Sequence, residues 1–239
     1  MLEGGTRPDV ASSTVNPPAD RGDATPDSSS RDSSRRSTSP LDRLEAALRA
    51  LARSFRAVAT RSLHPVRRAA ARRRLRSLER IDSLLFLCHG NICRSPYAEV
   101  ACRRRVGDHV TVRSAGFLEE DRRPPEEALR AAGERGIDLS DHRSRRLDRE
   151  LLATSGLVVV MDPEQDRMLC RRYRRSADLV LGDLDPRSAE CRAIRDPIFQ
   201  PIEVFDDVYD RIDRCVGGLA RALEHDPGPD RVGENRKHS

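Results

Sequence analysis

Leu41, Leu44, Leu48, Leu51, Phe55 and Val58 recur at alternating steps of three and four, which predicts a helix carrying one narrow apolar stripe. Ser39-Pro40 precedes it, and Asp42 and Glu45 fall in its opening turn. Ser as N-cap, Pro at the first helical position and acids in the first turn together form a helix start. His64-Pro65 predicts an interruption, because a proline removes one N–H and crowds the preceding turn. Residues 66–80, rich in Arg and Ala with Arg72-Arg73-Arg74 among them, are expected to resume as a basic helix. From residue 81 the pattern changes. Leu84-Leu85-Phe86-Leu87 is a short continuous apolar run, suited to a parallel strand buried on both faces. Val110-Thr111-Val112, Leu157 to Met161 and Leu179-Val180-Leu181 repeat that theme. Helical stretches at 96–106, 125–135, 146–153, 163–173 and 203–224 separate or follow them, so the order β-α-β-α predicts an α/β fold with an open doubly wound parallel sheet of about four strands.

Composition divides the chain further. Residues 1–40 are dominated by Ser, Pro, Asp, Gly and Thr and hold too little apolar surface to offset the entropy of ordering, so disorder is expected there. Residues 41–80 form the basic amphipathic helical region, 81–225 the folded domain, and 226–239 a disordered tail. The first 80 residues contain 17 Arg against 9 acids, a balance of +8, whereas the remainder carries −3. With 43 Arg and a single Lys in 239 residues, arginine is a general habit of this chain, and no specific nucleic-acid partner is indicated. The 12 Arg against 3 acids in residues 41–80 suit a partner helix or an anionic surface such as lipid. No run of about 18 apolar residues exists, and the first thirty residues lack the apolar stretch of a leader. Six Cys are too few for a disulfide scaffold, so free thiols and a cytoplasmic location are expected. No cluster of His and Cys has metal-ligand spacing, and no metal or other cofactor is expected.

The chemistry concentrates in Cys88-His89-Gly90-Asn91-Ile92-Cys93-Arg94-Ser95-Pro96, which follows the first strand and leads into Tyr97-Ala98-Glu99, a helix opening with Pro near its first turn. In an α/β sheet the end of such a strand and the start of the next helix offer free N–H groups and a positive dipole end, a natural phosphate site. The same groups favour the thiolate of a cysteine placed there. Arg94 comes round the loop to grip two phosphate oxygens with a planar fork that Lys lacks. Gly90 permits close backbone approach, Asn91 tolerates left-handed dihedrals and can tie the loop, and the Ser95 hydroxyl can bond the Cys88 sulfur. His89, Ile92 and Cys93 complete the loop, His89 without a catalytic role. A Cys followed six residues later by Arg is by itself common in so Arg-rich a chain. Cys215 and Arg221 repeat that spacing, but within a helical pattern and with no strand before them, so that pair is assigned to helix packing.

CHGNICRSPYAE resembles the signature loop of the low-molecular-weight protein-tyrosine phosphatases. The likeness extends through Ser114-Ala115-Gly116, Gly136-Ile137-Asp138, His142-Arg143-Ser144, Val160-Met161-Asp162 and Asp196-Pro197, in family order, over residues 81 to about 225. The resemblance implies that Cys88 attacks phosphorus, that Arg94 and the loop N–H groups hold the equatorial oxygens of a phosphorylated protein substrate, and that a cysteinyl-phosphate forms. It assigns Asp196 as general acid and then base, and Cys93 as the partner of a reversible disulfide with Cys88. Ile198-Phe199 stand where the family commonly carries aromatic residues, often Tyr. A branch acting on phosphoarginine has Thr in place of Ile92, which favours the phosphotyrosine reading. The alternatives are phosphoarginine hydrolysis, arsenate reduction, which calls for a later thiol pair closer than Cys170 and Cys191, and an inactive phosphate-binding adaptor.

Overall fold

The computed structural model describes residues 40–78, 81–187 and 191–224; the expectations for residues 1–39 and 226–239, the Ser39 cap included, lie outside them. The chain divides into Met1–Arg43, of which only the first helical turn is described, and Leu44–Ser239. Helix α1 runs Pro40–Arg76, followed by β1 (Ser83–Cys88), α2 (Arg94–Val106), β2 (Thr111–Gly116), α3 (Glu126–Gly133), α4 (Arg149–Ala153), β3 (Leu157–Val160), α5 (Pro163–Tyr173), β4 (Leu179–Val180) and α6 (Ile202–Glu224). The four strands form one all-parallel sheet in the order β2-β1-β3-β4. The topology is therefore the open, doubly wound α/β sheet that the alternating pattern predicts.

Both sheet faces are covered, and this explains the unbroken apolar runs. Leu84, Phe86 and Cys88 of β1 join a core shared with α2, α3 and α6, and Leu85 and Leu87 join a second core with α4 and α5. A period of two thus distributes one strand's side chains between two apolar layers. The first core also takes Ala71 and Leu75 from the end of α1. Gly182, just after β4, lets the chain pass beneath residue 192, since a Cβ there would lie 2.0 Å from the Arg192 carbonyl oxygen.

Two departures from the sequence pattern have a visible physical cause. Pro65 does not interrupt α1, which passes through it. Downstream contacts hold the helix: the His64 ring is buried, with its Nε2 2.9 Å from the Asp185 carbonyl oxygen, and Ala71 and Leu75 are buried two and three turns further on. Tertiary packing here outweighs the cost of a mid-helix proline. α4 begins at Arg149 rather than 146, because Arg146 bridges Gly116 beside the sheet. Asp148 then caps the helix by accepting the Leu151 N–H at 2.6 Å.

Candidate active site

β1 ends at Cys88 and α2 begins at Arg94, so His89–Cys93 make the turn between them. Cys88 is 2% exposed, and its sulfur accepts two hydrogen bonds, from the Asn91 backbone N–H at 3.2 Å and the Ser95 hydroxyl at 3.0 Å. Two donors converging on one sulfur at a helix N-terminus suit a thiolate, which can only accept. Asn91 takes the left-handed conformation, φ 51°. Its Nδ2 donates to the Ser95 hydroxyl at 2.9 Å and the Ser114 hydroxyl at 2.8 Å, and its Oδ1 accepts the Arg145 N–H at 2.8 Å. Ser114 in turn donates to Glu99 at 2.6 Å, and the His142 Nε2 lies 2.8 Å from the Asn91 carbonyl oxygen. With Asn91 donating to Ser95, the Ser95 proton is directed to Cys88.

Gly116, the last residue of β2, closes the other side. A Cβ there would stand 2.9 Å from both the Asn91 nitrogen and the His89 carbonyl oxygen, closer than real Cβ contacts allow. The backbone can give only by moving the loop. Gly90, by contrast, is uncrowded, an added Cβ meeting nothing closer than the Arg122 and Ile92 side chains at 3.5 Å. Of the two glycines at the loop, the one that packing demands is therefore Gly116, at the strand end. Gly116→Ala is expected to cost about 1–3 kcal/mol in stability, and a loop displaced by a fraction of an ångström to lower kcat/KM by about 10- to 100-fold. Thermal melting and p-nitrophenyl phosphate hydrolysis measured on the same sample check both halves.

Arg94 is buried, and three groups hold its terminal nitrogens. Nη1 donates to the Ile194 carbonyl at 3.1 Å and lies 3.6 Å from Asp162 Oδ2, and Nη2 donates to Asp196. Its Nε is buried with no hydrogen-bond partner. Asp162 is fixed as the cap of α5, its Oδ1 accepting the Glu164 and Gln165 N–H groups at 2.8 and 3.0 Å, and its Oδ2 the Gln165 side chain at 2.7 Å. Asp196 reaches the site because the Ile194 N–H donates to the Met161 carbonyl at 2.8 Å, pinning its loop to the end of β3. Thus Asp196, 102 residues along the chain from Arg94, meets it beside the Cys88 loop at the C-terminal edge of the sheet.

Cys93 lies inside the loop, 3% exposed, with its carbonyl accepting the Tyr209 hydroxyl at 3.4 Å. Burial, then the nearby Cys88 and Asp196 charges, push its thiol well above the usual range, so it stays neutral beside Cys88. All six cysteines are free. His89 is exposed and joins the site through its backbone, its carbonyl accepting the Phe117 N–H at 2.9 Å. Ile92 is buried, whereas Phe199, three residues past Asp196, is 93% exposed with φ 60°. Cys215 and Arg221 both lie within α6, Cys215 fully buried. Among the described residues no group of three or more His, Cys, Asp or Glu could hold a metal ion. Sequence reasoning assigned no role to Ser114, Glu99, His142, Asp162 or Gly116. Several of them lie in short motifs shared with the family, and that was the available signal.

The family model for low molecular weight phosphotyrosine protein phosphatase matches residues 83–228, more than half of the chain. The chain belongs to this family. It is accordingly a cysteine-dependent phosphatase, a phosphoric monoester hydrolase. A probable low molecular weight protein-tyrosine-phosphatase, EpsP of Ralstonia nicotianae, is 31% identical over 139 residues, 57% of this chain and 92% of that protein. A protein-arginine-phosphatase of Bacillus subtilis is 29% identical over 147 residues, 60% of this chain and 97% of that one. Among solved structures, the tyrosine phosphatase Wzb of Escherichia coli with sulphate superposes with a TM-score of 0.54 at 28% identity, covering 60% of this chain and 99% of Wzb. The phosphatase module thus accounts for the sheet and its helices, whereas α1 lies before the matched residues.

Proposed function

We propose that this phosphatase hydrolyses phosphotyrosine in proteins, with Cys88 as nucleophile, Arg94 as phosphate clamp and Asp196 as general acid and base. The observation that carries the reading is the pair of donors on the Cys88 sulfur, from Asn91 and Ser95, at the mouth of a loop whose Arg94 Nε is buried and free to donate. Phosphate sits over the loop from residue 89 to residue 95, held by its backbone N–H groups, Arg94 and the N-terminus of α2. The Cys88 thiolate forms a bond to phosphorus as the bond to the tyrosyl oxygen breaks. Asp196 gives that oxygen its proton. A water, deprotonated by the same carboxylate, then attacks the cysteinyl-phosphate and releases inorganic phosphate and the thiolate.

Asp196→Ala is expected to lower kcat by about 100-fold on phenyl phosphate and by less on p-nitrophenyl phosphate, whose leaving group needs little help from an acid. Equal losses on the two substrates would remove the general-acid role. Cys93 is proposed as the partner in a reversible disulfide with Cys88 under oxidant, which shields the nucleophile from irreversible oxidation. Free thiols throughout the described chain support a cytoplasmic location.

Phosphoarginine is the second reading, favoured by the similarity to protein-arginine-phosphatases of Bacillus subtilis and Geobacillus stearothermophilus. Ile92 in the loop, where the phosphoarginine branch has Thr, supports the phosphotyrosine reading. A ratio of kcat/KM for matched phosphotyrosine and phosphoarginine peptides decides between them.

A further inference from the structure

Helix α1 carries a surface that the phosphatase reading does not use. No described residue of 44–58 is buried, so the other described residues leave about 22 Å of this helix uncovered. Along it Leu44, Leu48, Leu51, Phe55 and Val58 are 57–75% exposed, and their alternating steps of four and three keep them on one seam, the a and d positions of a heptad.

We infer that this seam is a dimerisation surface whose occupant is the same seam of a second copy of the chain. The residues flanking it decide the occupant. The e and g positions, which face the partner in a two-stranded coil, hold Ala47, Ala52, Ser54 and Ala59 through the middle of the seam. Two copies brought together therefore oppose no like charges there, and the small side chains allow close approach. Glu45, the charged residue at the N-terminal edge, is already paired with Arg49 of its own helix. The surface is thus self-compatible, as a two-fold interface must be, since each copy presents the same patch to the other. A strict a and d stripe is the narrow seam of a coiled coil, whereas a helix packed on a broad apolar surface shows a wider apolar face, of about 100° or more. From Leu44 to Val58 the large apolar side chains keep to a and d, and alanine and serine hold the flanks.

The test is the mass of the full chain in solution, by light scattering or sedimentation, from ~1 to ~200 µM, a range that brackets a short coiled coil of fewer than three heptads. Wild type is expected to move from one chain mass to two across that range. Leu48→Glu/Leu51→Glu, which buries charge in the seam, is expected to weaken the dimer at least ~50-fold, while hydrolysis of p-nitrophenyl phosphate per chain stays at the wild-type rate and shows that the variant is folded. A single-chain mass at every concentration would overturn the inference. So would a dimer of equal strength in the variant, or wild-type chain that stays single in solution yet sediments with vesicles of anionic lipid through Leu48 and Leu51.

Discussion

Cys88→Ser is expected to lower p-nitrophenyl phosphate hydrolysis by about 10⁴-fold or more while leaving the fold and phosphate binding in place. The substitution changes one atom. Serine at the end of β1 can accept the same hydrogen bonds from Asn91 and Ser95 that the sulfur accepts at 3.2 and 3.0 Å. What it cannot do is lose its proton. A helix N-terminus and two donors stabilise a thiolate readily, but an alcohol holds its proton far more tightly. Arg94 and the loop N–H groups are untouched, so inorganic phosphate or vanadate still raises the melting temperature of the variant. Cys215→Ser is the internal control. Cys215 shares the six-residue spacing to an arginine, yet burial in α6 pushes its thiol up to about 12, and its loss is expected to leave kcat unchanged. Rates that fall with Cys215 and persist without Cys88 would move the nucleophile out of the loop.

What could be read from the chain was local. The strands were legible because a parallel strand buried on both faces needs an unbroken apolar run, and Leu84–Leu87 supplies one. The loop was legible because Cys88, Asn91, Arg94 and Ser95 act on one another within seven residues. The shell that holds the loop was not. Asn91 meets Ser114 23 residues away, set by the register of β1 against β2, and Arg145 54 residues away, set by the segment that pairs with Gly116 at the end of β2, and neither follows from any spacing. Gly116 makes the same point: opposite Cys88 in the ladder, it is required by atoms of a loop some 25 residues earlier in the chain. Pro65 was misread for a related reason. The proline's local preference is plain, but the Asp185 carbonyl that receives His64 lies 121 residues from it, and that contact helps carry the helix through.

Arg94→Lys is expected to lower kcat/KM by about 10³-fold, mostly through kcat, and to weaken competitive inhibition by phosphate. The charge survives this change and the geometry does not. The guanidinium reaches the Ile194 carbonyl and Asp162 through one terminal nitrogen and Asp196 through the other, and keeps Nε for a further acceptor. A lysine ammonium is a single point on a flexible stem. Turned toward Asp162 and Asp196 it leaves the phosphate, and turned toward the phosphate it leaves two carboxylates without a cation and Ile194 without a donor. The planar fork serves both sides at once, and its fixed orientation matters most as charge builds on the equatorial oxygens during transfer. Alanine at this position leaves Asp162 and Asp196 without their cation and tests folding as much as catalysis, so lysine is the sharper probe. Melting within a few degrees of wild type beside the loss of rate assigns the effect to the clamp, whereas a loss of less than about tenfold would show that the loop N–H groups bind phosphate without it.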